Sequence, residues 1–218
     1  MKHLLPFLFL LGVTINAQSF EKIFETKISQ KQEFANFLSW SSQNQVFIKN
    51  KEILSKDSEN GQILTSLSAF NSGAFLNFAT SMTLKADLRE NKYRLSTSDP
   101  VIVVSPKDFS YGMSSSVAKI VLKDLESAKR ISEKMKNVTE WQYSKLTELL
   151  PKLESDLTAE KSKLSELSKK RDIERQNEKI EEIETDISKV KSIIKMTDDL
   201  IDELYKDIDK TVNVKDDF

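Results

Sequence analysis

The chain has 218 residues, 33 Lys and Arg against 34 Asp and Glu for a net charge of −1, no cysteine, and a single histidine, His3. With no thiol and no second imidazole, disulfide frameworks, Cys/His zinc sites, cysteine nucleophiles and His-dependent triads are excluded. The near-neutral balance also lacks the strong positive field that bulk nucleic-acid binding needs.

Lys2 and His3 make a short basic start, Leu4 to Val13 an apolar run of ten residues, and Thr14-Ile15-Asn16-Ala17 ends on a small residue. This is the order of a secretory signal peptide, and the run is about half the ~20 residues of a membrane helix. Residues 1–17 are therefore expected to be cut off near Ala17/Gln18. The rest is expected to be exported, to the periplasm or beyond, with no transmembrane segment and no lipid anchor. An exported chain without cysteine has to rely on its packed core, and its length suffices for one.

Composition divides the remainder. All four glycines (Gly12, Gly61, Gly73, Gly112) lie in the first 112 residues, whereas the last 106 contain none and one proline, Pro151. Turns at positive φ favour glycine, so the second half is expected to be long helices with few tight corners. Residues 18–139 carry 17 basic and 13 acidic groups; residues 140–218 carry 15 and 21. A domain boundary is placed near Thr139.

In the first half, Phe20, Phe24 and Ile28 alternate with polar residues as in a half-buried strand. Ser29 and Gln32 form a capping box for a helix carrying Phe34, Phe37 and Leu38 and ending near Trp40. Strands are expected at Gln45–Lys49 and, after Asn60-Gly61, at Ile63–Phe70. In the next, Phe78, Thr80, Met82 and Leu84 share one face. Arg89-Glu90-Asn91-Lys92 is read as a turn before a strand at Tyr93–Thr97. Val101–Val104, between Pro100 and Pro106, continues the sheet or forms its edge. After a Ser114–Ser116 cap, Val117, Val121, Leu125, Ala128, Ile131 and Met135 fall on one stripe of a long helix. The fold class is α+β, with an antiparallel sheet covered on one face by helices.

Ser19-Phe20-Glu21-Lys22, the helix ending at Trp40, Asn60-Gly61-Gln62-Ile63-Leu64 and Asn91-Lys92-Tyr93-Arg94-Leu95 resemble a family of unknown function. This family has a TBP-like fold and is common in exported proteins of Bacteroidota. The likeness covers about residues 18–105 and extends at most to 139; Thr65, Ser66 and Ser68 stand where the family usually has more glycine. It implies a fold and a bacterial-envelope setting, and no activity.

From Thr139-Glu140-Trp141-Gln142, a second capping-box pattern, a helix is expected to start at Glu140. Leu146, Leu150, Leu153, Leu157, Glu160, Leu164, Leu167, Arg171 and Glu174 then recur at steps of four and three. Ile180, Ile183, Ile187, Val190, Ile194, Thr197, Ile201, Leu204 and Ile208 form a second such seam, out of phase with the first. The slip predicts a turn near 175–179, centred on Asn177, folding residues 140–210 into an antiparallel coiled-coil hairpin followed by a disordered tail at 211–218. That register sets Leu150 against Leu204, Leu153 against Ile201, Leu164 against Val190 and Leu167 against Ile187, with arms of roughly 50 Å at 1.5 Å per residue. Pro151 is expected to kink the first arm around Thr147, the alternative being a helix that ends at Leu150.

Little chemistry remains. Asp198, Asp199, Asp202 and Glu203 could hold a divalent cation but suit a solvated helix face better. Lys27, Lys31, Lys49 and Lys51, interleaved with Trp40 and Phe47, read as a soluble rim. Trp141 and Tyr143 are expected at the joint between sheet and hairpin. The residues favour a non-catalytic envelope protein with no cofactor or metal. Its hairpin, through Leu146, Leu150, Leu153, Leu157, Leu164, Leu167, Ile183, Ile187, Val190, Ile194, Ile201, Leu204 and Ile208, forms an arm for an envelope partner or for self-association. Outward Ile193, Met196 and Leu200 leave apolar surface for such an association. Two alternatives are an apolar ligand held near Phe70, Phe75, Phe78 and Met82, and a carboxylate-based hydrolase.

Overall fold

The computed structural model describes residues 20–72, 76–106, 115–136 and 140–214. The expected signal peptide, the Thr139 cap and the last four residues lie outside these, as do the side chains of the Ser114–Ser116 cap and of Val117. The chain is α+β. Strands β1 (Phe20–Glu25), β2 (Ile48–Asp57), β3 (Gln62–Ser72), β4 (Leu76–Arg89), β5 (Lys92–Thr97), β6 (Val101–Pro106) and β7 (Glu140–Gln142) form one antiparallel sheet. Helices α1 (Gln30–Ser42), α2 (Ser115–Met135), α3 (Tyr143–Leu164) and α4 (Lys170–Val212) complete it.

Strand β4 is the spine. One of its edges pairs with β3 from Asn77 to Asp87, while the other pairs first with β6 (Leu76 to Ser81) and then with β5 (Leu84 to Arg89). The outer flank beyond these is β7 beside β6 and β1 beside β5, and β2 closes the far edge beside β3. Even-numbered residues of β4 from Leu76 to Leu88 are all buried, as the period of two requires, and two lobes of core form along them. Met82, Leu84, Ala86 and Leu88 pack with Phe37, Trp40 and Leu204; Leu76 and Phe78 pack with Ile131, Trp141 and Leu146. Every helix therefore stands on the same face. The opposite face carries partly exposed Ser66, Ser68, Thr83, Lys85 and Arg94.

Local chemistry explains the corners. Gly61 sits at φ +65°, where a Cβ would lie 2.3 Å from the Leu88 carbonyl oxygen, so only glycine fits the β2–β3 turn. Asn91 takes φ 63° in the β4–β5 turn, a conformation that asparagine tolerates. The Ser29 hydroxyl accepts from the Gln32 N–H at 3.3 Å and caps α1.

Four expectations are corrected. The second strand runs Ile48–Asp57 rather than Gln45–Lys49. It is an edge strand whose pairing slips between Ile48 and Asn50 and again between Ile53 and Ser55, which erases the alternation a reader of sequence relies on. Glu140-Trp141-Gln142 is a strand, not a first helical turn. Trp141 pairs with Ile102, is 1 % exposed and donates its indole N–H to Ser132 Oγ at 3.0 Å. The helix starts at Tyr143 instead, where Asp99 accepts from the Ser144 N–H at 3.0 Å and from its hydroxyl at 2.6 Å. A cap distant in sequence replaced the local one.

The hairpin is real but differently folded. Its turn lies between Leu164 and Lys170, not at 175–179, and Asn177 is inside α4. The phase slip has a simple origin: Leu167, Arg171 and Glu174 extend the first seam only on paper, because α3 has already ended. The register shifts accordingly. Glu154 pairs with Lys191 and Lys161 with Glu184, both at 2.7 Å, where the expected register set them opposite residues 200 and 193. Finally, residues 211 and 212 are not tail: α4 runs to Val212, whose side chain is 0 % exposed. Helix α3 continues across Pro151, which is exposed, so the helix does not end at Leu150.

Candidate functional site

Helix α4 has 43 residues against 22 in α3, so about half of it extends beyond what α3 can cover. That surplus lies over the sheet. Ile201, Leu204, Tyr205, Ile208 and Val212 join the lobe of core built on Phe37 and Trp40. The expected Leu150–Leu204 and Leu153–Ile201 pairs therefore do not form; Leu150 and Leu153 belong to the other lobe, with Ile183, Ile187 and Val190. Of the interface residues read from sequence, the structure buries Leu146, Leu153, Ile183, Ile187, Val190, Ile201, Leu204 and Ile208. It leaves Leu150, Leu157, Leu164, Leu167 and Ile194 half-buried. Trp141 and Tyr143 do sit at the joint: Tyr143 packs edge-on to Phe20 at 4.9 Å and donates its hydroxyl to Asp198 at 2.7 Å.

A helix laid across a sheet and flanked by α3 on one side leaves a trough on its other side. Two adjoining clefts occupy that trough and meet at Ser192 and Met196. The first, of about 540 Å³, is floored by Leu76, Phe78, Ile193 and Met196 and edged by Asp124, Glu181, Glu184 and Lys189. The second, of about 420 Å³, continues between Leu200 and Glu203 of α4 and Phe47, Ala69, Phe70 and Thr80 of the sheet side. Half-buried Met196 and Leu200 form the stripe of α4 that lines one wall, whereas Ile193, expected to face outward with them, is 2 % exposed and packed in the core with Leu76 and Phe78. Sequence spacing exposed this stripe; what it could not supply was the opposite wall, which comes from β3, β4 and the segment before β2. Phe78 and Phe70 reach the two clefts, Met82 is buried in the core, and Phe75 lies outside the described residues.

The charged rim is held by ion pairs. Lys189 Nζ lies 2.5 Å from Asp124, Lys123 meets Glu181 at 2.6 Å, and Lys195 meets Asp199 at 2.5 Å. Beneath them Asp186, 1 % exposed, accepts from Ser127 Oγ at 2.8 Å and from the Arg130 guanidinium at 2.7 Å. The α2–α4 contact is thus a polar seam, and it fixes the cleft's outer edge. Asp198, Asp199, Asp202 and Glu203 do not converge: Asp198 holds Tyr143, Asp199 holds Lys195, and Glu203 faces the second cleft. Among the described residues no group of three or more such ligands is placed to hold a metal ion.

Two further polar features flank α1. Lys51 reaches over the Trp40 ring, 4.4 Å from its centroid, and donates to the Trp40 carbonyl at 2.6 Å, closing the helix's C-terminal end. Burial brings its ammonium down to about 8, against the pull of Asp207. At the other end Glu33 is 0 % exposed, and neither carboxyl oxygen has a hydrogen-bond partner. In sequence Glu33 reads as a first-turn acid favoured by the helix dipole; only the fold shows that it points inward. Among the described residues no helix is long and apolar enough to cross a membrane.

No family model matches the chain, and no curated protein matches it in sequence. Among solved structures it is similar to a TBP-like protein from Parabacteroides distasonis, with 15 % identity and a TM-score of 0.34 over 42 % of this chain and 64 % of that one. It is also similar to a DUF4468 family protein from Bacteroides ovatus, with 12 % identity and a TM-score of 0.33 over 40 % of this chain and 59 % of that one. The chain thus spans less than two thirds of the length of either.

Proposed function

We propose that this chain is an exported, non-catalytic binding module, and that its binding surface is the trough along α4 rather than a free-standing coiled-coil arm. The observation that carries this reading is the meeting of the two clefts at Ser192 and Met196, which makes one continuous channel with an apolar floor and a charged rim. An apolar groove with a polar rim suits an inserted segment that lays its apolar side chains along the floor. The ion-paired carboxylates of the rim suit that framing role better than acid–base work. The partner is a segment of an envelope protein presenting apolar side chains. The hairpin residues Leu146, Leu153, Ile187 and Val190 serve it indirectly, by fixing α4 at its distance from the sheet.

Photo-crosslinking tests this in intact cells. A crosslinker at Ser192 is expected to give one discrete adduct that Met196→Glu removes, while a crosslinker at outward-facing Lys129 gives none. Equal labelling at both positions, or no adduct at Ser192, counts against the trough. A second reading, an apolar small molecule in the same trough, is favoured by Phe70 and Phe78 lining its two halves. Native mass spectrometry of the purified chain separates the two: a retained lipid-sized mass lost in Met196→Glu supports the small molecule.

A further inference from the structure

Glu33 is the one fully buried carboxylate among the described residues that has no partner at either oxygen. Asp186, equally hidden, holds Arg130 and Ser127; Asp87 holds Arg94 and Lys85. A bare carboxylate out of water is unstable, and the ordinary escape is to keep its proton. The neighbours of Glu33 favour that escape. Thr26, in the link between β1 and α1, offers a hydroxyl that pulls toward ionisation, but Glu90, in the β4–β5 turn, pushes against it with a like charge. From β5 comes Tyr93, which feels Glu33 and gives its own proton in a 2.5 Å hydrogen bond to Asp209 of α4. No cation is paired with Glu33 among the described residues.

We propose that Glu33 is a proton-dependent latch: with its carboxyl protonated, the first turn of α1 and the Thr26 link lie closed on the sheet, and loss of that proton opens them to water. Burial pushes the carboxyl up to about 7, which sets the range over which the latch works. The opening has a route outward. Asn36 on α1 donates to the carbonyls of Val212 (2.9 Å) and Val214 (3.2 Å), and Trp40 donates to Asp207 at 2.8 Å, so α1 holds the end of α4. Beyond α1 the chain leads directly to Phe47, a wall of the second cleft. A shift of α1 would therefore be felt at both sides of the trough.

The direction follows from linkage. The closed state binds the Glu33 proton more tightly than the open, hydrated state, so opening is favoured as pH rises from the unfolded value of 4.5 to about 7, and levels off above it. Two measurements on the full chain test this. A carboxyl ¹³C titration should show one glutamate with its midpoint near 7, absent in Glu33→Gln. Hydrogen exchange should show the protection factors of the Thr26 and Glu33 amides falling by about tenfold per pH unit between about 5 and 7 relative to Leu84 in mid-sheet. In Glu33→Gln that slope should vanish. A wild-type Glu33 signal titrating near 4.5, or a midpoint raised to about 7 with flat protection at Thr26, overturns the latch; the titration needs no variant, so a misfolded Glu33→Gln would not shield the proposal.

Discussion

The two ends of α4 carry the same alternating apolar pattern and meet different neighbours. At the C-terminal end Ile201, Leu204, Ile208 and Val212 are all 2 % exposed or less, enclosed by α1 and the sheet. At the N-terminal end Ile173 and Gln176 are half-exposed, and the facing positions Leu157 and Leu164 of α3 are half-exposed too. Heptad spacing specifies a stripe, and a stripe will pack on whatever apolar surface lies opposite. In this chain the sheet takes the half of α4 that a symmetric hairpin would have given to α3.

Removing side chains at the two ends should therefore have unequal consequences. Leu204→Ala opens a cavity beside Trp40 and Phe37 and is expected to cost about 2–5 kcal/mol in urea unfolding, the range for buried leucines. Leu164→Ala, near the turn, should cost about 1 kcal/mol or less, because water already reaches that position. Equal losses would mean that α3 and α4 hold each other along their whole length and that the sheet contact is incidental.

The α2–α4 seam sharpens the contrast between buried and exposed charge. Asp186→Ala would strand the Arg130 guanidinium and the Ser127 hydroxyl, at a cost of about 2–4 kcal/mol. Lys123→Ala breaks an ion pair whose partners are both about two-thirds exposed, so thermal unfolding should hardly shift. A large effect at Lys123 would show that the rim of the first cleft is more sheltered than its exposure indicates.

How far the sequence foretold this molecule depends on the range of the interaction involved. β1, α1, β3, β5 and the stripe of α2 follow from local periodicity and from Ser29, Gly61 and Asn91, each of which acts within a few residues. The apolar seam of α4 was legible for the same reason. The start of α3 was not, because its cap is Asp99, 45 residues earlier. The hairpin turn was misplaced because Leu167 continues the spacing of α3 by coincidence, and Ser165-Glu166-Leu167-Ser168-Lys169 carries neither glycine nor proline to mark the break. Of the trough, Met196 and Leu200 were visible as an unused stripe, while Ile193, read as part of it, packs in the core. Leu76, Phe47 and Asp124 were not, since no local pattern says that three distant segments will face one helix.

The hairpin tip offers the smallest and most selective test. Glu160 occupies a seam position where leucine was the rule, and the structure shows why a carboxylate is tolerated there. It accepts from Lys163 at 2.8 Å, from the Gln176 amide at 2.8 Å and from Lys179 at 2.9 Å, so it ties α3 to α4 just before the turn. The hydrogen bond from Lys163, then those from Gln176 and Lys179, hold its carboxyl down to about 2. A carboxylate with a lowered folded value contributes stability above its unfolded value of 4.5 and loses it as pH falls toward 2. Acidification through that window should therefore loosen the tip while Ile208, packed under α1 with no such tie, keeps its protection. Amide exchange at Gln176 and Lys179 between about pH 5 and 2 reads this directly. Glu160→Gln keeps the shape and one acceptor but removes the charge, so its tip should exchange at the same faster rate across the whole window. If wild type and Glu160→Gln trace the same curve, the tip is held by its leucines alone, and the difference between the two ends of α4 is one of burial without any help from charge.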